Sequence, residues 1–252
     1  LLHVDPGFDA NNVLTASLPT LPEQHPDPRE LNGYLASLRA AIDNVPGVRQ
    51  TALTSALPLE GSSYGTVYAI ADRAPADQVN RQRAFLKIVS PSYGDTLGIR
   101  MRLGRKLSDQ DSHSAPHVAL INETLANREF PDGNPVGHRI LIREPVPGRV
   151  ELGRESAWEI VGVIAGEKIT GLGDEISAGI YVSNQQIPSY GMNLIVRTDR
   201  PPQSLQTAIQ SAVVSVNKNQ ALGDVRTLEQ IVRQSALGNR VVSTLFAAFA
   251  AI

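Results

Sequence analysis

The amino-acid sequence predicts an α+β protein of two lobes. Three observations point there: a strand–helix–strand order near the start, the same order near the end, and a long intervening stretch with helices and strands of its own. At 252 residues the chain suits one large domain or two small lobes, each able to bury a core.

The first unit opens after the turn-rich Asp5-Pro6-Gly7-Phe8. Val13 to Leu18 has the short apolar character of a strand and is closed by Pro19 and Pro22. Asp27 can cap the helix that follows, with Pro28 in its first turn and Glu30 three residues on, which predicts a reciprocal capping box. Leu31, Tyr34, Leu35, Leu38, Ile42 and Val45 recur at helical spacing on one face, and Pro46-Gly47 stops the helix. Val48 to Leu53 completes a β-α-β unit.

The second unit repeats the order. Asn193 to Thr198 reads as a strand, Leu205, Ile209, Val213 and Val216 mark one helical face within Ser204 to Val216, and Gly223 to Arg226 is a short strand. Two such halves can lay four strands side by side with both helices on one face, because each helix must bury its apolar stripe. The first lobe is therefore expected from residues 1–59 and 189–235, with residues 60–188 inserted as the second.

In the insertion, strands are expected at Phe85 to Val89, Val118 to Ile121, Arg139 to Ile142, Trp158 to Ile164 and Gly179 to Val182. A short helix is expected at Pro91 to Leu97, capped by Ser90, and another from Asn122 to Phe130. Thr227 with Gln230 forms a further capping box, opening a helix through Leu228, Ile231 and Val232 that needs no break before Val241. Val241 to Ile252 is uncharged and apolar, whereas a membrane span needs roughly 20 such residues. Residues 236–252 are thus expected to be the start of a truncated transmembrane helix, with the native N-terminus upstream of Leu1.

Composition excludes several function classes. A net charge of −2 makes no electrostatic case for nucleic acid, and one Trp with five Phe and six Tyr leaves little for a base-stacking platform. The absence of cysteine excludes disulfides, thiolate metal sites and thiol nucleophiles. There is no Walker A sequence, so nucleotide phosphates are expected to be handled elsewhere. Gly171-Leu172-Gly173 lacks the third glycine of a dinucleotide loop.

Asp109, Asp111, His113 and His117 could supply metal ligands, but Ser114-Ala115-Pro116 argues against the helix that would put both histidines on one face. Gly61-Ser62-Ser63-Tyr64-Gly65 offers hydroxyls in a flexible setting without the strand–turn–helix of a nucleophile elbow. A hydrolase using Ser62 or His117 therefore has little support. His138 lies beside an expected strand and His3 and His25 sit in turns, none with an obvious carboxylate partner in sequence. Arg100, Arg102, Arg105 and Lys106 form the densest basic patch, read as a solvated face before an acidic-partner or headgroup site. No catalytic, cofactor-binding or metal residue is assigned.

The ordered series of short matches resembles one family. It runs through Val4-Asp5-Pro6-Gly7-Phe8, Pro46-Gly47-Val48, Tyr93, Leu97-Gly98-Ile99, Gly104-Arg105, Val118 to Glu123 and Phe130-Pro131. It continues through Asn134-Pro135-Val136-Gly137, Trp158-Glu159-Ile160-Val161-Gly162-Val163, Val196-Arg197-Thr198 and Arg226-Thr227-Leu228. This pattern is similar to the extracytoplasmic domain of MacB-like (FtsX-like) ABC transporter permeases. The resemblance implies a porter-like lobe with an inserted second lobe, set between membrane helices in the inner membrane and facing the periplasm. It also implies a non-catalytic role, coupling ATP hydrolysis in the cytoplasm to periplasmic movement and export. The implied partners are an ABC ATPase reached through the membrane helices, a second permease copy or half, and a periplasmic adaptor. The sequence departs from the family pattern at Tyr93-Gly94, where an aromatic pair is commoner, and at Ile164-Ala165-Gly166-Glu167, usually a more acidic turn. A membrane-tethered ligand-binding or sensor module using the cleft between lobes is the alternative reading.

Overall fold

The computed structural model describes residues 4–25, 27–61, 64–73, 81–149 and 151–237. Four strands form an antiparallel sheet from both ends of the chain: β1 (Val13–Ser17), β2 (Val48–Thr54), β10 (Asn193–Thr198) and β11 (Gly223–Thr227). Their lateral order is β11-β1-β10-β2, so the strand of one β-α-β unit lies between the two strands of the other. That interleaving places every strand of each unit beside a strand of the other.

Alternation along these strands divides the core. Leu14, Ala16, Leu53, Leu194 and Val196 share a cluster with Leu31, Leu35, Leu38 and Ile42 of α1 (Pro28–Asp43) and with Ile209 and Val213 of α4 (Gln206–Val216). Each of these side chains is at most 2% exposed, and full burial of one aliphatic side chain is worth about 1.5–3 kcal/mol. The intervening residues Val13, Ala52 and Ile195 pack elsewhere, with Tyr93 and Leu97 of α2 (Tyr93–Leu97) and with Leu228 and Ile231 of α5 (residues 228–237). The two helices expected on one face are there, and α2 and α5 cover the other.

Caps explain where the helices start. Asp27 Oδ1 accepts from the Arg29 N–H at 2.8 Å, but among the described residues Glu30 makes no return bond, so the expected box is only half formed. The box at Thr227 is complete: its N–H donates to Gln230 Oε1 at 2.7 Å and its Oγ1 accepts from the Gln230 N–H at 3.2 Å. Ser90 does not cap α2 with its side chain. Its hydroxyl accepts from the Leu53 N–H at 2.9 Å, in a polar seam between β2 and the next strand set, and the helix starts three residues later than Ser90.

Between residues 60 and 188 six strands close on themselves. They are β3 (Tyr64–Ile70), β4 (Gln82–Val89), β6 (Val118–Asn122), β7 (Arg139–Pro145), β8 (Leu152–Ile164) and β9 (Gly179–Ser183). The pairings run β4-β3-β7-β8-β6-β9 and return to β4, with β8–β6 and β9–β4 parallel and the rest antiparallel. Closure removes the sheet edges that an open arrangement would leave unpaired. Every second residue fills the ring, among them Tyr68, Leu86, Ile121, Ile142, Trp158 and Ile180.

One irregularity in β8 matters for that filling. Ala119 pairs with Ile160 but Leu120 pairs with Gly162, so Val161 is an extra residue bulged out of the ladder. Beyond it the alternation flips: Val163 joins the interior cluster while Val161 and Ile164 join the outer one. The short β5 (Met101–Gly104) pairs with β8 there, where Gly104 at φ +71° leaves no room for a Cβ beside the Val161 carbonyl. The sequence reading had neither β3 nor β5. The ring joins the four-stranded sheet at one bridge, Thr54 opposite Val89, backed by Ser55 N–H to Ile88 O at 2.8 Å and Ser90 N–H to Leu53 O at 2.9 Å.

Candidate functional site

A fully buried, hydrogen-bonded charge pair lies on the outer wall of the ring. Lys87 on β4 sits between Leu86 and Ile88, which point inward, so its own side chain points out; Tyr181 is its pairing partner on β9. Neither side chain reaches solvent, because α2 and the loop after β8 cover them. Lys87 is 1% exposed and Glu167, from that loop, 0%. Lys87 Nζ is 3.0 Å from Glu167 Oε1, and Tyr93 Oη donates to the same carboxylate at 2.8–2.9 Å. Lys87 Nζ also donates to Tyr93 Oη at 3.2 Å. Burial first, then the adjacent Glu167 charge, raise the phenols of Tyr93 and Tyr181 well above the ordinary tyrosine range, so both stay protonated.

The loop that carries Glu167 is held from several sides. The Lys168 N–H donates to the Pro6 carbonyl at 2.9 Å, and the Leu59 and Gly61 N–H groups donate back to Lys168 O and Ile169 O at 3.2 and 2.9 Å. The Leu172 N–H donates to Ser235 Oγ of α5 at 3.0 Å. Gly7, at φ +85°, lies so close to this loop that a Cβ would meet Gly166 O at 2.1 Å. Arg197 of β10 fastens the next residues, donating to Asp9 O at 2.8 Å, Asn11 O at 2.9 Å and Thr96 O at 2.6 Å.

The residues singled out in the sequence do not converge. Asp111 takes a bidentate bond from Arg105, both contacts 2.8 Å, and accepts from the Ser108 N–H at 2.8 Å. His113 Nε2 is 3.4 Å from Arg29 Nη2, whereas His117 stacks on Trp158 with ring centroids 4.3 Å apart. No group of three or more metal-ligating side chains occurs among the described residues. The basic patch is largely neutralised within itself: Arg102 pairs with Glu123 at 3.0 Å, Arg105 with Asp111 and Lys106 with Asp95 at 2.5 Å. His138 does meet a carboxylate, Asp72, at 3.5 Å, but both are exposed and, among the described residues, no hydroxyl nucleophile is paired with them. His25 stacks on Tyr34, and Leu172 between its two glycines is a buried core residue rather than a phosphate loop. Ser62 and His3 lie outside the described residues.

Burial disfavours the Asp111 carboxylate, but the bonds from Arg105 and Ser108 outweigh it and hold the group below the usual carboxylate range. A carboxyl depressed in the folded state stabilises above its unfolded pKa, and that contribution is lost as pH falls through the folded value. Acid titration of stability should therefore fall more steeply below about pH 4 for the parent than for Asp111→Asn. Superimposable acid limbs would contradict this. Two open grooves mark the surface. One of about 440 Å³ lies beside Gly7, Arg100, Arg102 and Gly166; another of about 450 Å³ lies between the start of α1 and the β7–β8 hairpin, lined by Arg29, Asn32, Glu144 and Ile187.

The fold as a whole is matched among known proteins. The family described as MacB-like periplasmic core domain matches residues 2–227. The chain belongs to this family. The periplasmic region of MacB from Actinobacillus actinomycetemcomitans shares its fold at a TM-score of 0.58 and 11% identity, over 90% of this chain and 94% of that one. The extracellular domain of the ABC-type transporter YknZ from Gram-positive bacteria aligns at a TM-score of 0.49 and 18% identity, over 84% of this chain and 99% of that one. In sequence, the uncharacterised ABC transporter permease YvrN of Bacillus subtilis (strain 168) is 37% identical over 62 residues, which is 25% of this chain and 15% of that permease.

Within this MacB-like domain, Tyr93 of α2 and Glu167 of the loop after β8 meet each other. The Tyr93 hydroxyl donates to the Glu167 carboxylate. Sequence reasoning missed the cluster, although a lone lysine inside the apolar run Phe85 to Val89 was its signal: a lysine in a buried strand needs a partner. No helix among the described residues is long and apolar enough to cross a membrane, and the expected span at 236–252 falls almost wholly outside them.

Proposed function

We propose that this chain is the non-catalytic periplasmic domain of an ABC transporter permease in the inner membrane, carrying movement between membrane helices and the periplasmic side while a cytoplasmic ATPase supplies the energy. The family match over residues 2–227 carries this reading. The placement of the chain's two outer segments supports it. β1 departs from the end of the sheet where Val13 pairs with Arg197, and β11 delivers the chain to α5 at that same end, where Leu14 pairs with Thr227. Residues 4–9 and α5 thus sit together, as two segments leading to one membrane surface require. The apolar run Val241 to Ile252 that follows α5 in sequence would continue it into the bilayer.

In this reading residues 1–59 with 189–235 make the porter-like lobe, and 60–188 the inserted lobe. The ATPase is reached through the membrane helices, a second permease copy or half completes the transporter, and a periplasmic adaptor docks on the outer side. Because the chain has no cysteine, an introduced one is unique within it. In cells making the whole permease, Leu21→Cys, at a position 54% exposed, should react with a membrane-impermeant thiol reagent once the outer barrier is opened. Reaction only after the inner membrane is broken would overturn the assignment.

A further inference from the structure

The loop between β8 and β9 touches both outer segments of the chain and is itself fastened from beneath. Its Lys168 N–H holds Pro6 O, its Leu172 N–H holds Ser235 of α5, and between these residues it pairs with Leu59 and Gly61 on the path from the sheet to the ring. Its one buried charged side chain, Glu167, is fixed by Lys87 of the ring and Tyr93 of α2. Close packing allows little slack: a Cβ on Gly7 would lie 2.8 Å from Glu167 Cα, and one on Gly166 would lie 2.4 Å from Ile176 Cγ2. Atoms this close cannot slide independently, since interiors are packed to crystal density and shift between discrete arrangements.

We propose that residues 165–174 are a mechanical relay: pinned to the ring by Glu167, this loop holds the N-terminal segment and α5 in one relation, so that displacement of either is passed to the other and to the ring. The proposal rests on the permease reading, which makes those two segments the ones that move. A surface loop would ordinarily be among the first parts of a fold to open locally. A buried carboxylate with a lysine and a tyrosine on it resists that, because opening the loop separates a charge pair formed out of contact with water.

Hydrogen–deuterium exchange on the 252-residue chain tests it. Glu167→Gln keeps the shape but leaves Lys87 without a counter-charge, and should speed exchange of the Lys168 and Leu172 amides at least about ten-fold more than it speeds that of Ile121 and Ile180 in the ring. Ser235→Ala, which removes only the α5 contact, should speed the Lys168 amide as well, although that amide is bonded to Pro6. Unchanged Lys168 and Leu172 amides in Glu167→Gln, or an effect of Ser235→Ala that stops at Leu172, would overturn the relay. Should Glu167→Gln fail to fold, Tyr93→Phe, which removes one bond to Glu167 and strands no charge, carries the same test with the same readout. The exchange pattern needs no membrane, so it can fail while thiol labelling still places the domain outside, and the reverse.

Discussion

Lys87→Met is expected to destabilise the domain by about 3–5 kcal/mol, the cost of leaving a buried charge without its partner. Here the stranded group is the Glu167 carboxylate, 0% exposed, which keeps the bond from the Tyr93 hydroxyl but no counter-charge from Lys87. Removing both charges in Lys87→Met/Glu167→Leu should recover most of that loss, because desolvating the pair cancels much of what its attraction contributes. The recovery stops short in the double variant, since the Tyr93 hydroxyl then lacks an acceptor at about 1–3 kcal/mol. Adding Tyr93→Phe should complete it. Urea unfolding with unchanged slope is the measurement, and a double variant whose loss equals the sum of the two single losses would show that the charges act independently.

Trp158→Ala is expected to cost about 3–5 kcal/mol, through lost burial and the cavity left behind. Trp158 is 0% exposed inside the ring, its indole N–H donates to Ser156 Oγ at 2.8 Å, and His117 closes over it. Closure on six sides leaves no element free to move into the space, so the site cannot collapse as an open sheet could. Trp158→Phe should cost less than half as much. A loss under about 1 kcal/mol for Trp158→Ala would mean that the ring refills, against the packing described.

What could be read from sequence was local. Asn193 to Thr198 matches β10 residue for residue, and the Thr227–Gln230 box starts α5 where its spacing predicts. Both signals are carried by neighbours in the chain. The ring was not legible, for two reasons. Its strand β3 begins inside the glycine- and serine-rich stretch that reads as a loop, and its closure depends on β4 pairing with β9, from Phe85 opposite Gly179 onward, a contact that no periodicity encodes. The bulge at Val161 was equally hidden, since the continuous apolar run Ile160 to Ile164 looks the same with or without a flip of faces.

The site followed the same division. Asp109, Asp111, His113 and His117 drew attention because they are close in sequence, yet the fold turns them to separate partners. Lys87 and Glu167 are 80 residues apart and meet. The resemblance to MacB-like permeases compensated, because order along the whole chain carries long-range information that single motifs lack.

The most direct test of the account uses Leu21, exposed in the β1–α1 connection at the end of the sheet opposite residues 4–9 and α5. A spin label at Leu21→Cys in the assembled permease reports the separation between the two copies or halves. If the domain is moved through its two outer segments, ATP binding should shift that distance distribution, and ATP hydrolysis should return it. The same distribution with and without ATP, in a permease whose ATPase is active, would contradict the account.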